Sequence, residues 1–424
     1  MEYKNLSKQE LEKLKSELET QYEAFKKKGL KLDMSRGKPN KAQLDLTNDM
    51  LDTVNSSSDM KASDGMETRN YGGLPGIPEC RKLMAEIAEV DPKNVLIGGV
   101  ASLSLMYDYI SQCMVFGCGA EPWIKQGEIK FLCPCPGYDR HFGILEHFGI
   151  QMINIKMNDD GPDMDSIEEY VKDEKVKGLF CVPKYSNPDG ITFSDEVVRR
   201  FAALKPAAKD FRVIWDNAYL VHDLNDNPDR LLNIFDEAKK NGTEDNFIEV
   251  ISTSKISFAG GGISAVIASD ANIDSIKKRM SIQIISNDKI NQLRHARYFK
   301  DLDGIKAHMK KQAAILRPKF ETVTEGFSKA FDGTGIARWK NPNGGYFISL
   351  FVMNGCAKRV GELCKAAGLT LTTVGATYPY GIDPDDSNIR IAPSYPDVEE
   401  LSLAVELLCI CVKLAAVEKL LAKQ

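Results

Sequence analysis

Five short segments hold residues able to do chemistry, and each follows a run of apolar residues. Gly99-Val100-Ala101-Ser102 follows VLIG and opens a helical pattern. Small residues there let backbone N–H groups approach an anion, and a helix N-terminus favours negative charge. Taken alone, this is more often an ordinary tight turn. Cys135-Pro136-Gly137-Tyr138 puts a ring at the next strand end, able to stack on a planar group or to pack on the core. Lys184-Tyr185-Ser186-Asn187-Pro188-Asp189-Gly190 offers the Asn187 amide in a sequence that also favours a turn. Asp216-Asn217-Ala218-Tyr219 ends the run RVIW. A carboxylate there is costly unless paired. A protonated ring nitrogen would pair it through a charge-assisted hydrogen bond, whereas capping a helix is the plainer use. Finally, Ser252-Thr253-Ser254-Lys255 precedes three glycines, Gly260 to Gly262. Partial desolvation lowers a lysine's pKa and raises its nucleophilicity. In isolation the segment reads better as a solvated loop lysine.

The elements that must position these residues follow from periodicity. From about Arg81 to Ala268, apolar runs of four to seven residues alternate with amphipathic helical stretches. Such a pattern predicts a mostly parallel sheet covered on both faces. In that architecture ligands bind at the C-terminal ends of the strands, where all five segments fall. Before it, Ser7 and Glu10 form a capping-box pattern ahead of a helix that Gly29 ends, and an extended arm runs from Lys31 to about Met50. After it, a long helical region begins near Lys289. GYFISLF and IRIAP read as strands around the helix KRVGELCKAAG, and the apolar C-terminal run reads as an amphipathic helix. We therefore expect residues 1–50 and 289–424 to build a smaller α+β domain and residues 51–288 a large one.

Composition narrows the classes. Hydrophobic residues make up 43% and charged residues 27%, as in a globular protein. The net charge is −5 with no basic block, which disfavours nucleic acid as a partner. The N-terminal residues lack the apolar core of a leader, and no stretch reaches the roughly 18 apolar residues of a membrane span. Ten cysteines include no CxxC pair, so no metal site is expected and reduced thiols in a cytoplasmic protein are.

The chain order of these segments carries more than any member. Asn187-Pro188, Asp216-x-x-Tyr219 and Ser252-x-x-Lys255 in register resemble the fold-type-I pyridoxal-phosphate enzymes, in particular the class I/II aminotransferases. Tyr71-Gly72-Gly73, Gly344-Gly345-Tyr346-Phe347 and Asn388-Ile389-Arg390-Ile391 match further segments of that family. Ser35-Arg36-Gly37-Lys38-Pro39, PGYDRHF and SKISFAGGG most resemble its diverged bacterial aspartate aminotransferases.

The resemblance implies an α/β fold with a mostly parallel seven-stranded sheet and a smaller α+β domain. It implies that Lys255 attaches to pyridoxal 5′-phosphate and serves as the proton-moving base, with Asp216 on the ring nitrogen. Asn187 and Tyr219 would bond the phenolic oxygen, and Tyr138 would stack on the ring. Gly99, Val100, Ala101, Ser102 and Ser252 would surround the phosphate, joined by Tyr71 from the second subunit of a homodimer with shared active sites. Arg390 would bind the substrate α-carboxylate near Asn187, with Arg36 and Gly37 over the site. Arg36, Arg294 and Arg297 are candidates for a distal carboxylate. The family's phosphate-binding arginine is absent, and Ile263 stands in its place. The substrates implied are an amino acid, aspartate or glutamate, and a 2-oxo acid such as 2-oxoglutarate. A carbon–sulfur β-lyase shares the same residues and is the alternative. A regulator's effector domain would need a DNA-binding domain, for which the first 30 or so residues are too few.

Overall fold

The computed structural model describes residues 2–423; Met1 and Gln424 lie outside the described residues. A helix over Lys8–Lys27 starts where the capping box predicts. Ser7 accepts from the Glu10 N–H, and the Glu10 carboxylate accepts from the Ser7 N–H at 2.8 Å. The arm that follows is pinned by β1 (Leu32–Asp33), which pairs in parallel with Leu369–Thr370 near the other end of the chain.

The large sheet comprises β2 (Val95–Ile97), β3 (Lys130–Cys135), β4 (Gln151–Asn158), β5 (Gly161–Pro162) and β6 (Val176–Cys181). It continues through β7 (Arg212–Asp216), β8 (Phe247–Ser252) and β9 (Ser264–Ala268). The order is β2-β9-β8-β7-β6-β3-β4-β5. The pairs along β4, β3, β6, β7 and β8 are parallel, while β9 runs antiparallel to β8 and β2. Seven strands are those the pattern predicts. The eighth, β5, is a two-residue antiparallel edge too short to show an alternation. Both faces are buried, as the continuous apolar runs require. Val213 and Trp215 pack into one core beneath the sheet, while Ile214 and Phe180 pack into a second above it.

A second, antiparallel sheet joins β10 (Ala337–Trp339), β11 (Ile348–Val352) and, after the short β12 (Leu369–Thr370), β13 (Asn388–Ile391). The segment Gly344–Phe347 was expected inside a strand, but β11 begins only at Ile348. Gly345 takes a φ of +82°, which turns the chain there, and a Cβ at Gly344 would meet the Tyr185 ring at 2.1 Å. The turn leaves Tyr346 and Phe347 free to face the large sheet's crevice.

The C-terminal helix also departs from expectation. Val398–Leu421 is not amphipathic but buried on nearly every side, with Leu407 through Val412 an unbroken buried run. A helix apolar all round is a core helix. It packs against the N-terminal helix and the long helix Leu302–Phe331. That long helix is shared. Ile305 and Met309 pack with the large-sheet core, as do Leu293 and Phe299 of the helix Lys289–Phe299, whereas Leu316, Phe320 and Val323 pack with the C-terminal helix.

Leu408 and Ile410 lie about 200° apart around the helix axis, so they face opposite sides. Leu408→Ala and Ile410→Ala should each lower unfolding free energy by about 2–5 kcal/mol in denaturant titrations. A one-sided helix would lose stability at only one of the two.

Candidate active site

Asp216 is the last residue of β7 and lies on the same face as Ile214. It is 2% exposed. Its Oδ2 accepts from His141 Nε2 at 2.9 Å. His141 is fixed in turn: it sits on the helix Asp139–His147 that follows β3, and its ring stacks on Phe180 with centroids 4.6 Å apart. The other oxygen, Oδ1, is buried and has no hydrogen-bond partner among the described residues. A carboxylate oxygen stripped of water and left without a donor is expensive, and it marks a place made for one.

Lys255 follows β8, the neighbour of β7. Its surroundings desolvate the amine and push its pKa below the ordinary lysine value, against the attraction of Asp216. Nζ lies 5.0 Å from the centre of the Tyr219 ring and 5.9 Å from that of Tyr346. Both phenols are buried, and burial pushes both hydroxyl pKa values up. His222 joins them, edge-on to Tyr219, with neither ring nitrogen hydrogen-bonded among the described residues. Burial first, then the charge of Lys255, push its pKa down to about 3.

Arg390 projects from β13 toward the same crevice. Nη1 donates to Asp139 Oδ1 at 2.7 Å and, more weakly, to Asn187 Oδ1 at 3.4 Å. Nε donates to Thr372 Oγ1 at 3.3 Å, and the guanidinium lies 5.0 Å from the centre of the Phe347 ring. Phe347 also sets the path of the arm. A Cβ at position 37 would come within 2.2 Å of that ring, so only glycine passes. Thr372 then donates to the Ser35 carbonyl at 2.8 Å, which brings Arg36 alongside Arg390's neighbourhood. Arg36 itself is exposed and makes no ion pair among the described residues.

At the other end of the crevice, the helix Ser102–Phe116 begins at Ala101 with no side-chain cap. Its first N–H groups are therefore open to an anion. Ser264 Oγ and Ser254 Oγ donate to the Gly99 and Val100 carbonyls at 2.8 and 3.1 Å, holding the turn with its N–H groups outward. Gly99 has open space: a Cβ there would meet nothing nearer than Asn287 Oδ1 at 3.9 Å.

The geometry is that of a crevice with a buried acid, a desolvated amine and an open anion turn, and the comparisons agree with it. Residues 6–424 match the family model described as aspartate amino-transferase. The chain belongs to the aspartate aminotransferase family. An aspartate aminotransferase of Corynebacterium glutamicum is 45% identical over 404 residues, which is 95% of this chain and 93% of the relative. A solved aspartate transaminase structure from the same species superposes with a TM-score of 0.97 at 43% identity, covering 99% of both chains. More distantly, LysN, an α-aminoadipate aminotransferase of Thermus thermophilus, shares the fold at a TM-score of 0.75 and 18% identity over 93% of each chain. The family is one of aminotransferases.

Within this aminotransferase, most expected residues converge. Lys255, Asp216, Tyr219, Asn187 and Arg390 meet around one crevice. Tyr138 is there too, edge-on to His141 at 5.0 Å, its hydroxyl pKa pushed up to about 12 by burial. Gly99, Val100, Ala101 and Ser102 form the open turn, and Ser252 ends β8 opposite Ser264. Ser252 makes no contact to that turn among the hydrogen bonds described; Ser254 does. Tyr71 stands apart, 80% exposed. Ile263 is buried and gives its N–H to Thr253 Oγ1, so that position offers no cation or donor to the turn. Arg297 is spent on the Asp59 carbonyl at 2.6 Å, and Arg294 donates to Asn291 while its Nε is buried without a partner. The sequence alone does not single out His141, Asp139, Ser254, Thr372 or Asn287. Only His141 left a usable trace, as the one histidine in the helix segment directly after Tyr138 that falls on the same helical turn.

A cleft of about 920 Å³ lies elsewhere. Trp215, Asn217 and Glu249 line it, and Lys255, Asp216, Tyr219, Asn187 and Arg390 do not. It is not where the chemistry sits.

His222 carries a pH consequence. Its folded pKa of about 3 is below the ordinary 6.5, so between those values the unfolded chain binds more protons and stability falls as pH drops. His222→Gln removes that loss. The urea midpoint of the variant, relative to the native protein, should therefore rise as pH is lowered from 7 to 5. A difference that does not change with pH would contradict the burial of a neutral imidazole.

Proposed function

We propose that this aminotransferase binds pyridoxal 5′-phosphate between Asp216 and Lys255. We propose that it moves an amino group from a dicarboxylic amino acid, aspartate or glutamate, to a 2-oxo acid such as 2-oxoglutarate. The observation that carries this is Asp216 Oδ1, buried and unpartnered, in the crevice that also holds the desolvated amine of Lys255. The residues fit the group. The open turn from Gly99 to Ser102 suits a phosphate, the free carboxylate oxygen suits a protonated pyridine nitrogen, and Lys255 Nζ, over the rings of Tyr219 and Tyr346, makes no hydrogen bond or ion pair among the described residues.

When bound, pyridoxal phosphate supplies an aldehyde for the amino group and a ring that takes up the electron pair left at the substrate's α-carbon. The chain's own residues do the rest. Asp216, held by His141, keeps a proton on the atom facing Oδ1. Lys255, whose amine burial shifts toward the uncharged form, can take and return the α-proton. Tyr219 and Asn187 would hold the group's phenolic oxygen, and Tyr138 would lie against its ring. Ser102 and Ser252 would supplement the backbone N–H groups at the phosphate, since no arginine stands at Ile263.

Arg390 grips the α-carboxylate, a task suited to a planar fork of donors. The unpaired, exposed Arg36 beside it is our candidate for the distal carboxylate. The name of the Corynebacterium relative supports the dicarboxylic substrate. The exposed Tyr71 supports a homodimer in which this ring completes the phosphate site of the partner subunit. Large and small domains meeting at Arg390 and Asn187 fit substrate-driven closure, with residues 51–288 carrying the cofactor and residues 1–50 and 289–424 the arm and Arg390. The ten free, buried cysteines support a cytoplasmic setting.

Half-reaction spectra test the proposal. Protein loaded with pyridoxal phosphate should convert to the pyridoxamine form with aspartate or glutamate and return with 2-oxoglutarate. Lys255→Ala should cut turnover by roughly a thousandfold or more, and Asp216→Asn by roughly a hundredfold or more. No spectral change with any amino acid, or a Lys255→Ala enzyme of native rate, would refute it.

A further inference from the structure

Arg390 meets an incoming substrate with two of its three nitrogens already engaged. Nη1 is held by Asp139 at 2.7 Å and Nε by Thr372 at 3.3 Å, while Nη2 has no hydrogen-bond partner among the described residues. A two-point grip on a carboxylate needs two adjacent N–H donors. Nη2 belongs to both available edges of the guanidinium, and each edge has its other corner occupied. One occupant, Thr372, is a neutral hydroxyl that also serves the Ser35 carbonyl. The other, Asp139, is a carboxylate, the same group as the ligand. Its side chain is 31% exposed against 9% for Arg390. It therefore has solvent to turn toward, whereas the guanidinium has none.

We infer that Asp139 is an internal stand-in for the substrate carboxylate, a positioning residue that holds Arg390 while the site is empty and competes with every carboxylate that docks. This rests on Arg390 being the α-carboxylate ligand. The physical reason for the arrangement is that a nearly buried guanidinium without a counter-charge is costly. Asp139 removes that cost in the empty enzyme and fixes the fork beside Asn187. The consequence is weaker binding of ligand, because two carboxylates close to one guanidinium repel each other. Asp139 thus sets the affinity for both the amino acid and the 2-oxo acid without touching the reacting bonds.

The test uses maleate, a dicarboxylate with no amino group to transfer, titrated into cofactor-loaded protein. Asp139→Asn keeps the shape and removes the charge. It should bind maleate roughly five- to tenfold more tightly, with a lower KM for aspartate and no rise in kcat. The gain should shrink as salt is added, and Asp139→Glu should return toward native affinity. Equal or weaker maleate binding by Asp139→Asn overturns the competition, since Asp139 would then only anchor Arg390. Arg390→Lys separates the premise. If that variant binds maleate as the native protein does, Arg390 is not the carboxylate ligand, whatever Asp139→Asn shows.

Discussion

A buried carboxylate with one oxygen satisfied and one bare is the constraint around which this molecule is arranged. Asp216 sits at 2% exposure, where an unpaired charge costs several kcal/mol unless something supplies the missing donor. His141 supplies one, and its own position depends on stacking against Phe180 from the neighbouring strand. The parallel sheet brings β7 and β8 side by side, so the residue that ends one and the lysine that follows the other share a crevice. The sheet's apolar faces make that crevice dry. Dryness leaves Asp216 in need of a donor and lowers the pKa of the Lys255 amine.

The rest of the chain closes the crevice from the other side. The C-terminal helix, apolar all round, forms the axis against which the N-terminal helix and the rear of the long helix pack. That packing seats β11 and β13, and β13 presents Arg390. The arm, tied by β1 to β12, then crosses Phe347 at Gly37. One glycine lets a segment from the start of the chain lie beside an arginine from its end. Substrate recognition is therefore assembled from residues far apart in sequence, and the acid and amine from residues on adjacent strands.

What was legible in the sequence follows this division. Strands β2, β3, β6, β7 and β8 announce themselves because each is an apolar run leading into a chemical residue, and the order of those residues identifies the family. The helix Ser102–Phe116 and the capping box at Ser7 are equally plain, being set by local patterns. Tertiary packing decided the rest. The C-terminal helix looked amphipathic because Glu406, Lys413 and Glu418 interrupt it, yet most of its surface is covered by other helices. GYFISLF looked like one strand because alternation does not reveal that Gly345 must turn. Asp139 left no trace as a site residue and His141 only a faint one, because their roles depend on Arg390 and Phe180, 251 and 39 residues away. Ser254 rather than Ser252 touches the open turn, a choice made by the way the loop bends after β8.

The central claim is that Asp216 Oδ1 faces a protonated ring nitrogen. Nitrogen-15 NMR of the protein loaded with pyridoxal phosphate labelled at that nitrogen tests it most directly. The account predicts a pyridinium signal that stays protonated through neutral pH in the native protein and loses its proton in Asp216→Ala. A nitrogen already unprotonated at pH 7 in the native protein, or a signal indifferent to Asp216→Ala, would contradict it.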